Sequence, residues 1–334
     1  MAADNNLKLP RESTQINIKT ALEQMKVSLD SNNTIMSSFS TAIQEMNRTT
    51  LTNLKSAVDD VLEHNKSLQA LSDIYATLDE VSTPENGAMI HNSLPRGKFL
   101  GSNLSEELYA NIRAGTFKGL WAADYVQCTN VPYIYNSTEY TYSGDWLWGD
   151  SNYRIHSGYP SEVTRNHGAM LPREPLFNAP MNPTNTTENG YVGCEMYTEH
   201  LKRAEAIVKA CFGEEHVVPY YPIFVNAVAN GKPSGYAYVG ARYIDLMNEA
   251  MVYGHYHFSS GGSDGTTVPA SYDMDKSQLA IFKHDHSLEH RRSVACWLRD
   301  VVSGANFAFV AHAGYAGHGC ASDVPGVRPA ALIG

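Results

Sequence analysis

Residues 16–81 contain neither proline nor glycine, although the whole chain carries 15 of the one and 25 of the other. Within that stretch apolar residues recur at Leu22, Met25, Leu29, Met36, Phe39, Ile43 and Met46, in steps of three and four. Such steps keep an apolar seam facing a partner helix, which is the pattern of a coiled coil. Asn32 stands in the seam between Leu29 and Met36. A second run, Leu54, Val58, Val61 and Leu68 with Asn65 in its gap, is displaced from the first. A stutter, or a break between two helices, is therefore expected across Thr50 to Leu54. Asparagine in a seam lowers stability but fixes register and oligomer number. The flanks are Ser, Thr, Asn and Gln, so a lone helix cannot bury itself; a parallel oligomeric stem is favoured over a helical hairpin folded on the rest of the chain. The seam leaves two strands or three open.

Thr83-Pro84-Glu85-Asn86-Gly87 ends the helix, because neither Pro nor Gly continues it. The expected organisation is a helical stem over 1–85, a linker over 86–98 and a globular part over 99–334. A short helix is expected from Ser105, its N-cap, to Thr116. Tyr133 to Tyr142 and Asp145 to His156 are aromatic and β-branched and read as strands. Glu195 to Phe212 reads as an amphipathic helix with Leu201, Ala204, Ile207, Val208 and Cys211 on its apolar face and Gly213 as its stop. Further strands are expected near 236–244, 250–258 and 279–283, and short strands between Gly-rich turns from Trp297 to Gly334. The class is α+β.

A formal charge of −10, with no basic stripe to offset it, argues against nucleic acid as a partner. The five cysteines, Cys128, Cys194, Cys211, Cys296 and Cys320, are odd in number and lack any CxxC spacing, which disfavours a disulfide framework and a zinc knuckle and suits folding in a reducing cytoplasm. Met1 to Pro10 has no apolar core of a signal peptide, and no apolar run reaches the ~20 residues that span a bilayer. His255-Tyr-His257 and His284-Asp-His286 would chelate a metal if each lay on a strand, where i and i+2 share a face. No third ligand stands at a familiar spacing, so surface histidines are the expectation, with no metal and no cofactor. Neither a GxSxG elbow nor a phosphate-binding glycine loop is present, and no catalytic residue is assigned. Asn136-Ser-Thr and Asn185-Thr-Thr match a glycosylation sequon but read as turns.

The C-terminal segment runs Ala295-Cys-Trp-Leu-Arg-Asp-Val-Val-Ser303, Phe307-Ala-Phe-Val310 and Gly326-Val-Arg-Pro-Ala-Ala-Leu-Ile-Gly334. This tail resembles a domain of minor structural and tail proteins from phages and prophages of Gram-positive bacteria. Asn182-x-Thr-Asn-Thr-Thr-x-x-Gly-Tyr-Val-Gly193, Met196-Tyr197 and Leu246-Met-Asn-Glu-x-x-Val-Tyr-Gly254 fit the same family, so the resemblance covers about 105–334. The tail is also similar to the end of C-type-lectin-like domains of the formylglycine-generating-enzyme and phage tropism-determinant kind. The resemblance implies that Trp297 lies in the core and that Arg299 and Arg328 pair with carboxylates or backbone carbonyls. Enzymes of that fold act through specific cysteines; Cys296 and Cys320 form no such pair here, and no activity is carried over.

Between the two fixed ends the resemblance places a ligand face near 306–325, carrying His312, Tyr315, His318, Cys320 and Asp323 on a frame of Gly and Ala, of the kind a mutagenic retroelement diversifies. A plain surface loop is the competing reading of this segment. The implied protein is a phage tail-tip or fibre component, made in the bacterial cytoplasm and carried on the virion. It would bind a host-surface receptor, glycan or protein, as a homotrimer, with its N-terminus on other tail proteins and no membrane insertion. A non-binding virion component and a polysaccharide depolymerase are the alternatives. Gly314, Gly317 and Gly319 are expected to let the ligand segment turn tightly.

Overall fold

The computed structural model describes residues 12–229, 232–258, 275–289 and 294–334. The first eleven residues lie outside the described residues, and with them the N-terminus expected to meet other tail proteins. The chain divides into two compact units, one ending at Ala76 and the other running from Thr77 to Gly334.

The first unit is helix. Helix α1, Glu12–Val81, is continuous for 70 residues, so no break separates the two apolar runs. At 1.5 Å per residue it is about 105 Å long. Continuity leaves a stutter: Met46, Thr50, Leu54 and Val58 follow in steps of four, which locally unwinds a heptad seam. On its Ser- and Thr-rich surface several hydroxyls are satisfied by turning back on the helix, a bond that does not itself stabilise it. Thr34, Ser38, Thr41, Thr50, Thr52 and Ser67 each donate to the carbonyl four residues earlier, at 2.9–3.1 Å. The seam side chains from Leu22 to Leu68 remain between 39% and 68% exposed in the single chain.

The second unit opens inside the expected linker. Helix α2, Gly87–His91, is part of it, and His91 is fully buried. Residues 86–98 thus belong to the globular unit rather than to a spacer, because α2 presses backbone to backbone: a Cβ on Gly87 would stand 2.3 Å from the Gly115 carbonyl oxygen. Helix α3, Glu106–Arg113, starts at Ser105, whose side chain accepts from the Leu108 amide. Strands β1, Tyr125–Tyr135, and β2, Thr138–Ser151, form a hairpin where one strand from Tyr133 to Tyr142 had been expected. Asn136 and Ser137 turn it, with φ of 49° and 61°. Two successive positive φ values make the tight turn whose twist suits a hairpin, and Asn tolerates them.

Strands β3, Gly168–Pro172, and β4, Phe177–Asn178, follow. A π-helical turn over Met196–His200 then leads into helix α4, Leu201–Phe212, which Gly213 ends at φ 90°. Next come β5, Ile223–Ala229, β6, Lys232–Tyr238, and β7, Ile244–Leu246. The segments 250–258 and 279–283, expected as strands, contain helix α5, Glu249–Tyr253, and helix α6, Ala280–His284. Capping decides the first: Asn248 accepts from the Met251 amide, and Gly254 closes the turn at φ 79°. The chain ends with β8, Cys296–Val301, β9, Asn306–Val310, β10, Ala316–Cys320, β11, Gly326–Val327, and β12, Pro329–Ile333. The class is α+β, with a long N-terminal helix.

One sheet runs β1-β2-β3-β12-β7 and another β10-β9-β8-β11-β4, with β5-β6 a separate hairpin. Alternate residues of the central strands feed two apolar clusters. Trp146, Trp148, Met170, Trp297, Phe307 and Ala331 enter one cluster with the inner face of α4; Leu147, Leu171, Leu298, Ala308 and Leu332 enter the other with α5 and α6. Both sheets are therefore covered on both faces across their centres, as the two-residue strand period requires.

His167 is fully buried, accepts from the Arg154 amide at Nε2 (3.1 Å), and has Nδ1 at 2.8 Å from the Arg165 carbonyl, so the proton sits on Nδ1. Burial lowers its pKa from 6.5 to about 4. Between these values the unfolded chain takes a proton that the native ring refuses, so this group's contribution is complete above pH 6.5 and is lost as pH falls towards 4. The buried Asp150 carboxyl, pushed up to about 7, works in the opposite direction below neutrality. A variant difference isolates the histidine. Urea unfolding of His167→Gln is expected to show lower stability at pH 7 but a smaller drop on going to pH 5, by about 2 kcal/mol. An equal drop in parent and variant contradicts a neutral buried ring.

Candidate functional site

The C-terminal hairpin is built on a packed strand. Trp297 of β8 is fully buried and donates from Nε1 to the Ala179 carbonyl at 3.0 Å. Phe309, its partner on β9, meets it edge-on at 6.1 Å between ring centroids. Gly317 pairs with Phe309 from β10, and a Cβ there would stand 2.4 Å from the Phe309 ring. At Gly319 a Cβ would come within 3.0 Å of the same ring. These two glycines are strand residues that make room for an aromatic ring. Of the three glycines expected to turn the chain, Gly314 alone has positive φ, 90°. It lies in the loop closed by the Ala311 amide on the Tyr315 carbonyl (2.9 Å) and by its own amide on Ala311 (2.9 Å).

His312, Tyr315, His318 and Asp323 are exposed, Tyr315 by 60%, and Cys320 is half-buried. Their roles divide. Asp323 accepts from the Cys320 amide at Oδ2 (2.9 Å), and its own amide donates to the Cys320 carbonyl (2.9 Å). It holds the turn after β10 and occupies an amide of an edge strand, which also blocks further strand pairing there. Asn185, one of the sequon asparagines, supports the same turn by accepting from the amide and hydroxyl of Ser322. His312 and Tyr315 sit at the hairpin tip.

His318 has neighbours that sequence spacing did not indicate. Its ring meets Phe258 edge-on at 5.0 Å, and its Nδ1 lies 3.2 Å from the Asn306 amide nitrogen. With the amide as donor, Nδ1 accepts and Nε2–H faces outward. Phe258 continues a run of rings: His257 lies 6.4 Å from it, His255 is 4.2 Å from His257, and Tyr253 meets His257 edge-on at 5.1 Å. The backbone below is fixed from inside. The buried Glu249 carboxylate, at the start of α5, accepts from the amides of His257 and Phe258 at 3.2 Å. The fold thus brings His318 beside Phe258 and the His255–His257 pair in one exposed patch of imidazoles and aromatic rings.

The metal argument for the histidine pairs required strands. His255 and His257 follow the end of α5, and His284 is the last residue of α6. His284 Nε2 lies 2.8 Å from the Asn92 carbonyl oxygen, and His286 Nδ1 lies 2.6 Å from the Glu289 carboxylate. Among the described residues no three potential ligands converge. A groove of about 370 Å³ has both Asp79 and Glu107 in its wall. There Asp79 Oδ1 accepts from the Gly119 amide (3.1 Å) and stands 3.6 Å from His91 Nε2, so this carboxylate fastens the end of α1.

The two arginines are internal. Arg299 donates to the Leu246 carbonyl (3.2 Å) and to Asp275 Oδ2 (2.8 Å). Asp275 also receives two bonds from buried Arg154, at 2.7 and 3.0 Å. Burial alone would raise the Asp275 pKa, but the two guanidinium groups overcome it and hold the carboxyl below its ordinary value. Fully buried Arg328 donates from Nε to the Pro172 carbonyl (2.9 Å) and from Nη1 to those of Leu288 and Glu289 (2.8 and 3.0 Å).

No family model, curated protein or solved structure matches the chain. The site is therefore read from its own geometry.

These assignments separate packing from display. Trp297→Ala is expected to cost roughly 3–5 kcal/mol in urea unfolding, as large-to-small changes at buried aromatics do. Asp323→Ala should cost about 1 kcal/mol, because it removes a hydrogen bond that holds an exposed turn. Tyr315→Ala should stay within about 0.5 kcal/mol of the parent. A large loss for Tyr315→Ala would make the hairpin tip part of the core.

Proposed function

We propose that the chain is a phage tail-tip protein that binds a host-surface receptor, with an oligomeric helical stem and a C-type-lectin-like head. The observation that carries this reading is the exposed seam of α1. Large apolar side chains spaced by three and four along a helix of this length are favourable only when a partner covers them. Copies of the same helix in parallel provide that cover, and three copies suit a fibre. Supporting the lectin-like reading, Gly326-Val-Arg-Pro passes from one sheet into the other, where β12 lies between β3 and β7, beside an irregular exposed segment. The receptor face comprises His312, Tyr315 and His318, joined by Phe258 and the His255–His257 pair. Rigid rings of this kind contact much area at low entropic cost. Asp323 and Cys320 hold the frame in this reading.

Two measurements on the full chain test it. Light scattering should find a trimer, and replacing Leu29 and Ile43 by Asp should dissociate it, since each copy would bury like charges in the seam. A parent that stays monomeric at tens of micromolar, by the same measurement, removes the stem. Separately, the His312→Ala, Tyr315→Ala, His318→Ala triple variant should keep its oligomeric state and melting temperature while losing adsorption to host cells. Undiminished adsorption places the receptor contact elsewhere.

A further inference from the structure

The groove of about 370 Å³ beside Asp79 is lined by α3, its cap, and the segments 98–100 and 118–119, all within the second unit. Its charges are of both signs, two lysines balancing two carboxylates. Asp79 is already engaged by the Gly119 amide. Lys98, Lys118 and Glu107 make neither a salt bridge nor a side-chain hydrogen bond among the described residues. Lys98 and Glu107 are exposed and Lys118 is half-buried.

The backbone that carries the two lysines is fixed from inside. The fully buried Asp124 carboxylate accepts from the amides of Lys98 (2.8 Å) and Trp121 (2.9 Å) and from Arg96 Nε (3.1 Å). Arg96 Nη2 donates onward to the Gly119 carbonyl (2.8 Å), and Asn111 of α3 donates from Nδ2 to the Lys118 carbonyl (3.0 Å). Apolar surface comes from Leu100, Leu108 and Phe99, the last 51% exposed with its ring 5.5 Å from that of Tyr125. Gly119, at φ 79°, keeps the wall bare: a Cβ there would stand 3.1 Å from the Leu108 side chain. The groove is thus shaped before any ligand arrives, which lowers the cost of binding.

We propose that this groove binds a zwitterionic small molecule, an α-amino acid with an apolar side chain. Lys98 and Lys118 receive its carboxylate, Glu107 its ammonium, and Leu100, Leu108 and Phe99 its side chain. The balance of charge selects this class. A plain anion that meets the lysines is repelled by Glu107 and Asp79, and a plain cation meets the reverse. A neutral polyol leaves the stronger, charge-assisted bonds unused. A ligand that carries both charges pairs every unengaged charge in the wall. The volume lies near the lower end of small-molecule sites, about 300–1,000 Å³, and suits a ligand of this size. The site shares no residue with the receptor face and stands whether or not that face binds.

The test uses the full chain with leucine and phenylalanine as probes, in saturation-transfer NMR at millimolar ligand. Both amino acids, or one of them, should receive saturation. The N-acetyl derivative, which lacks the ammonium, and the amide, which lacks the carboxylate, should each bind about tenfold more weakly or worse. The Lys98→Ala, Glu107→Ala double variant should lose the signal with its melting temperature unchanged, since both side chains are exposed. If that variant does not fold, the parent decides alone: the bound amino acid should shield Lys98 and Lys118 from acetylation, read by mass spectrometry, and inorganic phosphate should not. Four outcomes overturn the proposal: neither probe receives saturation, a singly charged derivative binds as well as its parent, the folded double variant binds undiminished, or phosphate shields the lysines equally.

Discussion

The closing strand holds this fold together, and the constraint on it is the burial of a guanidinium. The run from Gly326 to Ile333 contributes β11 to one sheet and β12, between β3 and β7, to the other. Arg328 sits at the crossing with no exposed surface. A buried charge costs several kcal/mol unless its hydrogen bonds are satisfied. Three carbonyls, from β3 and from the turn at 288–289, receive the Arg328 donors and so tie those segments to the crossing. Asp275 plays the complementary part, joining Arg154 just after β2 to Arg299 on β8. Asp245 gathers Arg242, Tyr191 and Tyr220 in the same manner. Apolar clusters set the general arrangement of the sheets, while these polar contacts permit few alternatives, because a shifted strand would strand a charge.

That rigidity leaves the exposed side chains at the tip of the C-terminal hairpin without a packing role. Trp297, Phe309 and the two glycines opposite settle the strand pairing from the inside. Asp323 and Asn185 settle the following turn. His312 and Tyr315 take no part in either, so their chemistry can change at little cost to folding. His318 is intermediate: exposed, yet set beside Phe258 by a backbone that buried Glu249 positions.

The amino-acid sequence by itself determined the long helix, its seam and its polar seam positions, because helical spacing and the lack of breakers are local properties. It also determined the Ser105 cap, the apolar face of Glu195–Phe212 and the α+β class. It misjudged 250–258 and 279–283, where short apolar and aromatic runs fit either state; the Asn248 cap and Gly254 decided the first, and burial of Ala280, Ile281 and Phe282 accompanies the helix in the second. It read Tyr133 to Tyr142 as one strand although Asn136 and Ser137 reverse the chain. The resemblance of the tail already implied a core place for Trp297 and paired arginines, but which groups Arg299 and Arg328 bind, and the meeting of His318 with Phe258, were decided only by tertiary structure. These join residues far apart in the chain, and neither periodicity nor spacing encodes which distant side chains a closing strand and a covering helix bring together.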